Sequence, residues 1–180
     1  MNELNGLWKD IKEMEHGTVR TEMLKSAIKE ADRIGDYDDK MKFRLELMEE
    51  CCFYGDDLQV LLLMPEVLQL YDGHIVVESY DVYLYDIIWN YKWVLSTAVD
   101  YYQVSREQFE AMAEDFKRRC LENGYSLRAY HAHKSSFYRY IDKEIAEKEF
   151  QMFLKTPRDS ISDCKACEQN REVSYYLFTH

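Results

Sequence analysis

The helical character of this chain is clearest at residues 18–34, which read TVRTEMLKSAIKEADRI and are followed by Gly35. Apolar residues recur there at intervals of three and four, as they do on one face of an α-helix. These residues are Met23, Leu24, Ala27, Ile28, Ala31 and Ile34. Thr18 is a residue type that caps helix starts, and glycine often ends a helix in a left-handed conformation. We therefore predict a helix over 18–34 that Thr18 caps and Gly35 ends.

The same spacing continues along the rest of the chain, interrupted by short breaks. Ser105 and Gln108 form a capping-box pattern that opens one helix, and Asn123-Gly124 ends it. Pro65 is expected to kink a helix or to start a new one. The other predicted helices are 37–54, 56–72, 78–102, 127–139 (capped by Ser126), 143–155 (capped by Asp142) and 168–178, with a loop over 157–167.

The composition favours an all-α fold. The 180 residues include only 6 Gly and 2 Pro, whereas β-sandwiches and β-barrels need many tight turns. Hydrophobic residues make up 47% of the chain, which is enough for a buried core and argues against disorder throughout. The connections between the predicted helices are short, so neighbouring helices should run antiparallel, as they do in a helical solenoid.

A regular pattern of large and small residues fills residues 130–157, which read YHAHKSSFYRYIDKEIAEKEFQMFLKTP. The residues that carry it are Tyr130, Phe137, Ala146, Phe150, Phe153 and Pro157. This pattern resembles a tetratricopeptide repeat, although His133-Lys134 replaces the Leu-Gly pair of that family. A weaker match over 22–52 centres on the turn at 35–37. The resemblance implies antiparallel helical hairpins stacked as a short solenoid, and an irregular helical bundle is the alternative.

The distribution of charge suggests how the chain is organised. We predict one helical-repeat domain over residues 1–180, with an acidic part over 1–104 and a neutral part over 105–180. The formal net charge of −11 lies entirely in the acidic part. The end of the chain, 171–180, looks like the first helix of a repeat that the chain does not complete. Such a helix would cap the solenoid or pair with a second copy to form a homodimer.

The acidic charge and the apolar pattern exclude several kinds of partner. An acidic surface repels phosphate, so DNA, RNA and anionic membranes are poor partners. A basic protein or peptide would be attracted to the acidic part, and the alternative is that the acidity serves only to keep the protein soluble. Residues 1–17 lack the apolar core of a secretory signal. The chain also has no run of about 18 uncharged apolar residues that would predict a membrane span. We therefore expect a soluble, cytoplasmic protein.

The resemblance also implies a peptide-binding groove, because the first helix of each tetratricopeptide repeat lines the concave surface of the solenoid. Carried over to this chain, the groove positions are Arg128, His131, Ser135, Tyr138 and Arg139. Arginine binds carboxylates bidentately, so these side chains would contact an anionic group of a partner. The alternative is an ordinary solvated face of the helix.

Tyrosine and tryptophan are dense between residues 80 and 102. Both residue types are enriched at binding hot spots, but they also fill the large gaps between packed helices. We predict that most of them belong to the core. Tyr85 and Trp93 lie off the main apolar stripe, and we predict that they are exposed and available to a partner.

The five cysteines are Cys51, Cys52, Cys120, Cys164 and Cys167. Their odd number and the missing secretion signal argue against a disulfide framework. Cys51 and Cys52 are predicted to be small residues that are buried or half-buried. Cys164 and Cys167 form a CxxC motif, which would act as a redox pair, as half of a zinc site, or as packing residues. A zinc site would need further ligands that only the fold could bring close.

No catalytic motif is present in the sequence, neither a glycine-rich phosphate loop nor HExxH nor GxSxG. We therefore expect a non-catalytic module that binds a protein or a peptide and needs no cofactor. One alternative is a zinc- or thiol-dependent protein that uses Cys164 and Cys167. Another is an acidic protein that neutralises a basic bacterial toxin.

Overall fold

The computed structural model describes residues 3–54, 56–73 and 83–162, and all regular structure within these ranges is α-helical. The helices are α1 (Glu3–Glu13), α2 (Thr18–Ile34), α3 (Tyr37–Tyr54), α4 (Asp57–Gly73), α5 (Leu84–Asp100), α6 (Arg106–Glu122), α7 (Arg128–Tyr138) and α8 (Lys143–Lys155). The predicted all-α class is confirmed. The last predicted helix, 168–178, and the chain end proposed for a homodimer lie outside the described residues.

The chain divides into two compact units, residues 1–90 and 91–180, and the boundary falls within α5. In the first unit, α1 packs on α2, α2 on α3, and α3 on α4. In the second unit, α6 packs on α7, and α7 packs on α8. Helices that follow one another in sequence are therefore neighbours in space, as their short connections predicted.

Several helix ends form as their local sequence signals predicted. Gly35 adopts a left-handed conformation with φ of 89° after α2, and its amide donates to the carbonyl of Ala31. At the start of α6, the Ser105 amide donates to the Gln108 side chain at 2.8 Å, and the Gln108 amide donates to the Ser105 hydroxyl at 3.2 Å. The Asp142 carboxylate accepts amide hydrogen bonds from the first turn of α8. These predictions are confirmed.

Two predicted helix caps are wrong. The N-cap of α2 is Gly17 and not Thr18, which is the first residue of the helix. The Gly17 amide instead donates to the carboxylate of Glu50 on α3 at 2.7 Å, so a tertiary contact replaces the expected side-chain cap. The N-cap of α7 is Leu127 and not Ser126.

Of the two effects predicted for Pro65, the start of a new helix is excluded, because Pro65 lies inside α4. The apolar residues on both sides of Pro65 are buried, and their burial offsets the free energy lost with the backbone hydrogen bond that proline cannot make. These residues are Val60, Leu63, Met64 and Val67.

The α1 helix has no counterpart among the predicted elements. Leu4, Leu7, Trp8 and Ile11 nevertheless recur at helical spacing, so the prediction missed a signal that the sequence carries. Leu4 and Ile11 are almost completely buried. Because a helix of 11 residues is marginal in isolation, its packing against α2 stabilises it.

The α3 helix is the most enclosed helix of the first unit. From Met41 to Cys51, every residue is buried except Lys42, which is half-buried, and Glu49, which is exposed. The helix packs between α2 and α4. Because neighbours cover both of its sides, even its charged residues lie in the interior and need partners there.

The α7 helix has the same position in the second unit, where it packs against α6 and α8. No residue from Tyr125 to Arg139 is exposed. The rings of Phe109 on α6 and Phe137 on α7 stack with their centroids 3.9 Å apart. On the other side, α8 contributes the fully buried residues Ala146, Phe150 and Phe153.

A buried charge network fixes the connection between α1 and α2 onto α3. The Arg20 guanidinium donates to the carboxylates of both Glu46 and Glu50, and all three side chains are buried. Glu50 also accepts from the Gly17 amide and lies 2.6 Å from Nδ1 of His16. Burial alone would raise the pKa of Glu50, but the hydrogen bonds from His16, Gly17 and Arg20 lower it. The Glu50 carboxylate is thus held in its charged form.

Replacing Arg20 by methionine should destabilise the fold by about 3–5 kcal/mol, because two buried carboxylates lose their guanidinium partner. The free energy of unfolding, measured by urea denaturation at neutral pH, checks this. The matched control is Arg33→Met, which removes an exposed ion pair with Glu30 on the same helix and should change stability very little. Equal losses in the two variants would contradict a special role for the buried network.

Candidate interaction site

The first unit contains a pocket of about 380 Å³ between α1, α3 and the first turns of α5, which we call the aromatic pocket. Its walls combine aromatic rings with both acidic and basic side chains. The lining residues are Trp8, Lys12, Lys42, Leu45, Glu46, Glu49, Tyr83, Tyr85, Asp86, Trp89 and Asn90. A concave surface with several rings and a few polar groups is the usual form of a binding site.

The aromatic rings lie on two walls of the pocket. Tyr85 and Trp89 are one helical turn apart on α5, and their rings stack with centroids 6.0 Å apart. On the opposite wall, the Trp8 ring of α1 meets the Phe43 ring of α3 edge-on at 5.5 Å. Tyr85 is exposed, as predicted, whereas Trp8 and Trp89 are half-buried. The pocket therefore offers apolar surface that remains within reach of solvent.

The two lysines of the pocket already have acidic partners. The Lys12 ammonium lies 2.9 Å from a Glu46 carboxylate oxygen, and the Lys42 ammonium lies 2.5 Å from Asp39. Both ammonium groups also lie 5.2 Å from the centre of the Trp8 ring, a distance at which cation–π attraction acts. Their positive charges are thus compensated within the unit.

Two carboxylates of the pocket have no such compensation. Glu49 is the one exposed residue in the enclosed stretch of α3, and it makes no ion pair within the described ranges. Asp86 lies in the first turn of α5 and also has no cationic partner there. Asp86 is exposed, although partial burial raises the pKa of its carboxyl. A cation bound in the pocket would supply the partner that these two carboxylates lack among the described residues.

A second pocket of the first unit is larger, about 560 Å³, and lies between the end of α2, α3 and α4. Arg44 lines it, and its guanidinium donates to Asp32 at 2.8 Å and to Glu66 at 3.0 Å. The charged groups around Arg44 therefore serve to join α2, α3 and α4. This pocket holds a single aromatic residue, Tyr37, and gives weaker grounds for a binding site.

The predicted groove residues of α7 make internal contacts. The Arg128 guanidinium donates to the carbonyls of Phe153 at 2.8 Å and Thr156 at 2.6 Å. The Ser135 hydroxyl donates to the carbonyl of Ala146 at 3.0 Å. Both side chains are buried, because α8 covers this face of α7.

Of the other predicted groove residues, His131 and Tyr138 also make internal contacts, and Arg139 is the exception. Nδ1 of His131 lies 2.6 Å from the Glu149 carboxylate, and the Tyr138 hydroxyl donates to Glu110. Burial alone would raise the pKa of Glu149, but the hydrogen bond from His131 lowers it. Arg139 is half-buried, and within the described chain its Nε has no hydrogen-bond partner.

The prediction of an exposed stripe on α7 is therefore wrong for Arg128, His131, Ser135 and Tyr138. The sequence resemblance assigned one side of α7 to a groove, but α6 and α8 cover the helix on both sides. A part in partner binding stays a prediction for these residues and for Arg139. Trp93 is half-buried and not exposed, and the Lys92 ammonium lies 5.5 Å from its ring centre.

The prediction that Cys51 and Cys52 are buried or half-buried is confirmed. Cys51 and Cys120 are buried and Cys52 is half-buried, and all three are free thiols. Burial raises the pKa of Cys51 to about 11 and those of Cys52 and Cys120 to about 12, so these thiols are poor nucleophiles. Cys164 and Cys167 lie outside the described residues, and a metal or thiol role for them stays a prediction. Across residues 3–54, 56–73 and 83–162, no group of three or more potential metal ligands occurs.

Comparison with protein-family models, with curated proteins and with solved structures found no match in any of the three searches. Of the helices in the described part of the chain, none has both the length and the apolar character that a bilayer span requires.

One buried histidine of α7 is held without charge. His133 is 4% exposed, and in the described ranges its Nε2 has no hydrogen-bond partner. The buried Lys92 ammonium, which donates to the Ile161 carbonyl at 2.8 Å, carries the neighbouring positive charge. Burial, together with this charge, lowers the pKa of His133 to about 3. The imidazole is therefore neutral at pH 7.

His133 should make the second unit sensitive to acid. In the unfolded chain the imidazole takes up a proton below about pH 6.5, but the folded chain resists this until about pH 3, so acid favours unfolding. We expect this residue to remove about 1.4 kcal/mol of stability per pH unit within that window. Urea denaturation of the natural chain and of His133→Leu over this range measures the difference. The prediction is wrong if the free energies of unfolding of the two proteins change with pH by the same amount.

Proposed function

We propose that this protein is a non-catalytic, cytoplasmic helical-repeat module that binds a basic segment of a protein or peptide in the aromatic pocket. The observation that carries the proposal is the pairing of charges around the pocket. Its two lysines are held by Glu46 and Asp39, whereas the carboxylates of Glu49 and Asp86 have no cationic partner among the residues that the structure describes. The pocket can therefore bind a positively charged group of a partner.

The charge of the surrounding chain supports a basic partner. The excess of acidic over basic residues lies in residues 1–104, which include every residue of the aromatic pocket. A negative surface attracts a basic partner from solution and repels acidic ones, which raises the rate of productive encounters. The rings of the pocket add apolar contact area of the kind that dominates binding hot spots.

A tetratricopeptide-like architecture is part of the same proposal. On α8, Ala146 is fully buried where the resemblance expects a small residue, and Phe150 and Phe153 are buried where it expects large ones. Tyr130 on α7 is buried as well, and Pro157 follows the end of α8. These positions support a repeat-like hairpin. Because neighbouring helices cover α7 in this hairpin, the proposal assigns binding to the aromatic pocket of the first unit.

The test is calorimetric titration with short synthetic peptides of equal length that are rich in basic, neutral or acidic residues. The basic peptide should bind best, and raising the salt concentration should weaken its binding, because salt screens partly exposed charges. The double variant Glu49→Gln, Asp86→Asn should lower its affinity about tenfold or more, since each carboxylate loses a charge-assisted hydrogen bond.

Asp57→Asn is the matched control for this experiment. Asp57 is an exposed aspartate in the first turn of α4, as Asp86 is in the first turn of α5, but it does not line the pocket. This control should bind the basic peptide as the natural chain does. The proposal fails if the acidic peptide binds equally well, or if the double variant retains full affinity.

A further inference from the structure

The aromatic pocket has features that discriminate between the two basic side chains. We infer that it accepts a guanidinium group, that of an arginine in the partner segment, in preference to the ammonium group of a lysine. This inference rests on the proposed function and adds to it the chemical identity of the group that is bound.

Two hydrogen-bond acceptors of the pocket lie on one face of α5. Asp86, Trp89 and Asn90 are three and four residues apart, so they share one face of the helix. The Asn90 side-chain amide donates to the Asp86 carbonyl at 2.9 Å, and its own Oδ1 accepts no hydrogen bond within the described chain. A carboxylate and an amide oxygen one turn apart can therefore accept from one ligand.

Glu49 provides a further acceptor on the α3 side of the pocket. Glu49 belongs to α3, whereas Asp86 and Asn90 belong to α5, and all three line the same pocket. A guanidinium carries five donors in a flat fork, so one edge can engage a carboxylate bidentately while the other donors face elsewhere. An ammonium is a point charge and matches no bidentate geometry.

Hydration and stacking also distinguish the two cations. A ligand cation must lose part of its water when it enters the pocket, and a guanidinium is hydrated more weakly than an ammonium. The stacked rings of Tyr85 and Trp89 lie on either side of Asp86 in sequence and provide flat surfaces on which a guanidinium can lie. The smaller desolvation cost therefore favours arginine.

The existing cations of the pocket are consistent with this selectivity. Lys12 and Lys42 both place their ammonium groups over the Trp8 ring and are bonded to carboxylates of the protein. Ammonium groups thus already occupy the surroundings of Trp8. The unpaired acceptors lie on Glu49 and along α5, where planar hydrogen bonding and stacking can act together.

The experiment compares three peptides whose other residues are all uncharged and that differ only at one central residue, which is arginine, lysine or citrulline. Citrulline has nearly the shape of arginine but carries no charge. Titration calorimetry on the full chain should give the arginine peptide an affinity about five- to tenfold higher than that of the lysine peptide. The citrulline peptide should bind more weakly still, because its neutral urea group forms no ion pair with a carboxylate.

Variants then locate the effect. Asp86→Asn should lower the affinity for the arginine peptide about tenfold, and Trp89→Phe should reduce the ratio of arginine to lysine affinity. Asp57→Asn and Tyr102→Leu are controls, because both residues are exposed and neither lines the pocket. Circular dichroism of each variant establishes that the helices remain folded.

The possible outcomes separate this inference from the proposed function. If the lysine and arginine peptides bind equally and Asp86→Asn weakens both, the inference is overturned and the proposed function stands. If neither of these peptides nor the richly basic peptide binds, both are overturned. Arginine-selective binding that Asp86→Asn leaves unchanged also overturns the inference, since the selective site is then elsewhere. Arginine selectivity that depends on Asp86 and Trp89 supports it.

Discussion

The enclosure of one helix in each unit is the constraint that shapes the rest of the structure. The α3 helix packs between α2 and α4, and α7 packs between α6 and α8. A charged or polar group on such a helix costs free energy unless a neighbour bonds to it. Arg44, Glu50, Arg128 and Ser135 are all buried, and each is bonded to a group outside its own helix. These bonds help to determine which helices pack against each other.

The same constraint determines where binding capacity remains. Arg128 is a residue type typical of binding sites, but its donors are engaged by the backbone carbonyls of Phe153 and Thr156. Asp86 and Glu49 are exposed, and neither has a cationic partner within residues 3–54, 56–73 and 83–162. A side chain with unfilled hydrogen-bonding capacity at a concave surface is a better indicator of binding than its residue type alone.

Two histidine–glutamate pairs show how similar chemistry serves structure in both units. His16 lies 2.6 Å from Glu50, and His131 lies at the same distance from Glu149. The first pair joins the α1–α2 connection to α3, and the second joins α7 to α8. In each, the hydrogen bond from the histidine lowers the pKa of a carboxylate that burial alone would raise. These contacts hold the carboxylates charged and orient the helices that carry them.

Periodicity in the amino-acid sequence determined the helices and many of their ends. The bounds of α2 and α8, the left-handed Gly35 and the capping box at Ser105 follow from local chemistry, because they depend on residues within a few positions of one another. The burial of Cys51 and Cys120 follows from apolar spacing in the same way. The α1 helix shows the same spacing at Leu4, Leu7, Trp8 and Ile11, so it too could have been predicted from the sequence.

Only the tertiary structure decided which polar faces are covered and which charges stay unpaired. Periodicity identifies one buried side of a helix but not the number of its neighbours, so the two-sided burial of α7 could not be predicted. The aromatic pocket joins Trp8, Glu49 and Asp86 from three helices that are far apart in sequence. Its capacity for a cation depends on Lys12 and Lys42 being held by other carboxylates, and such long-range charge pairing exists only once the helices have packed.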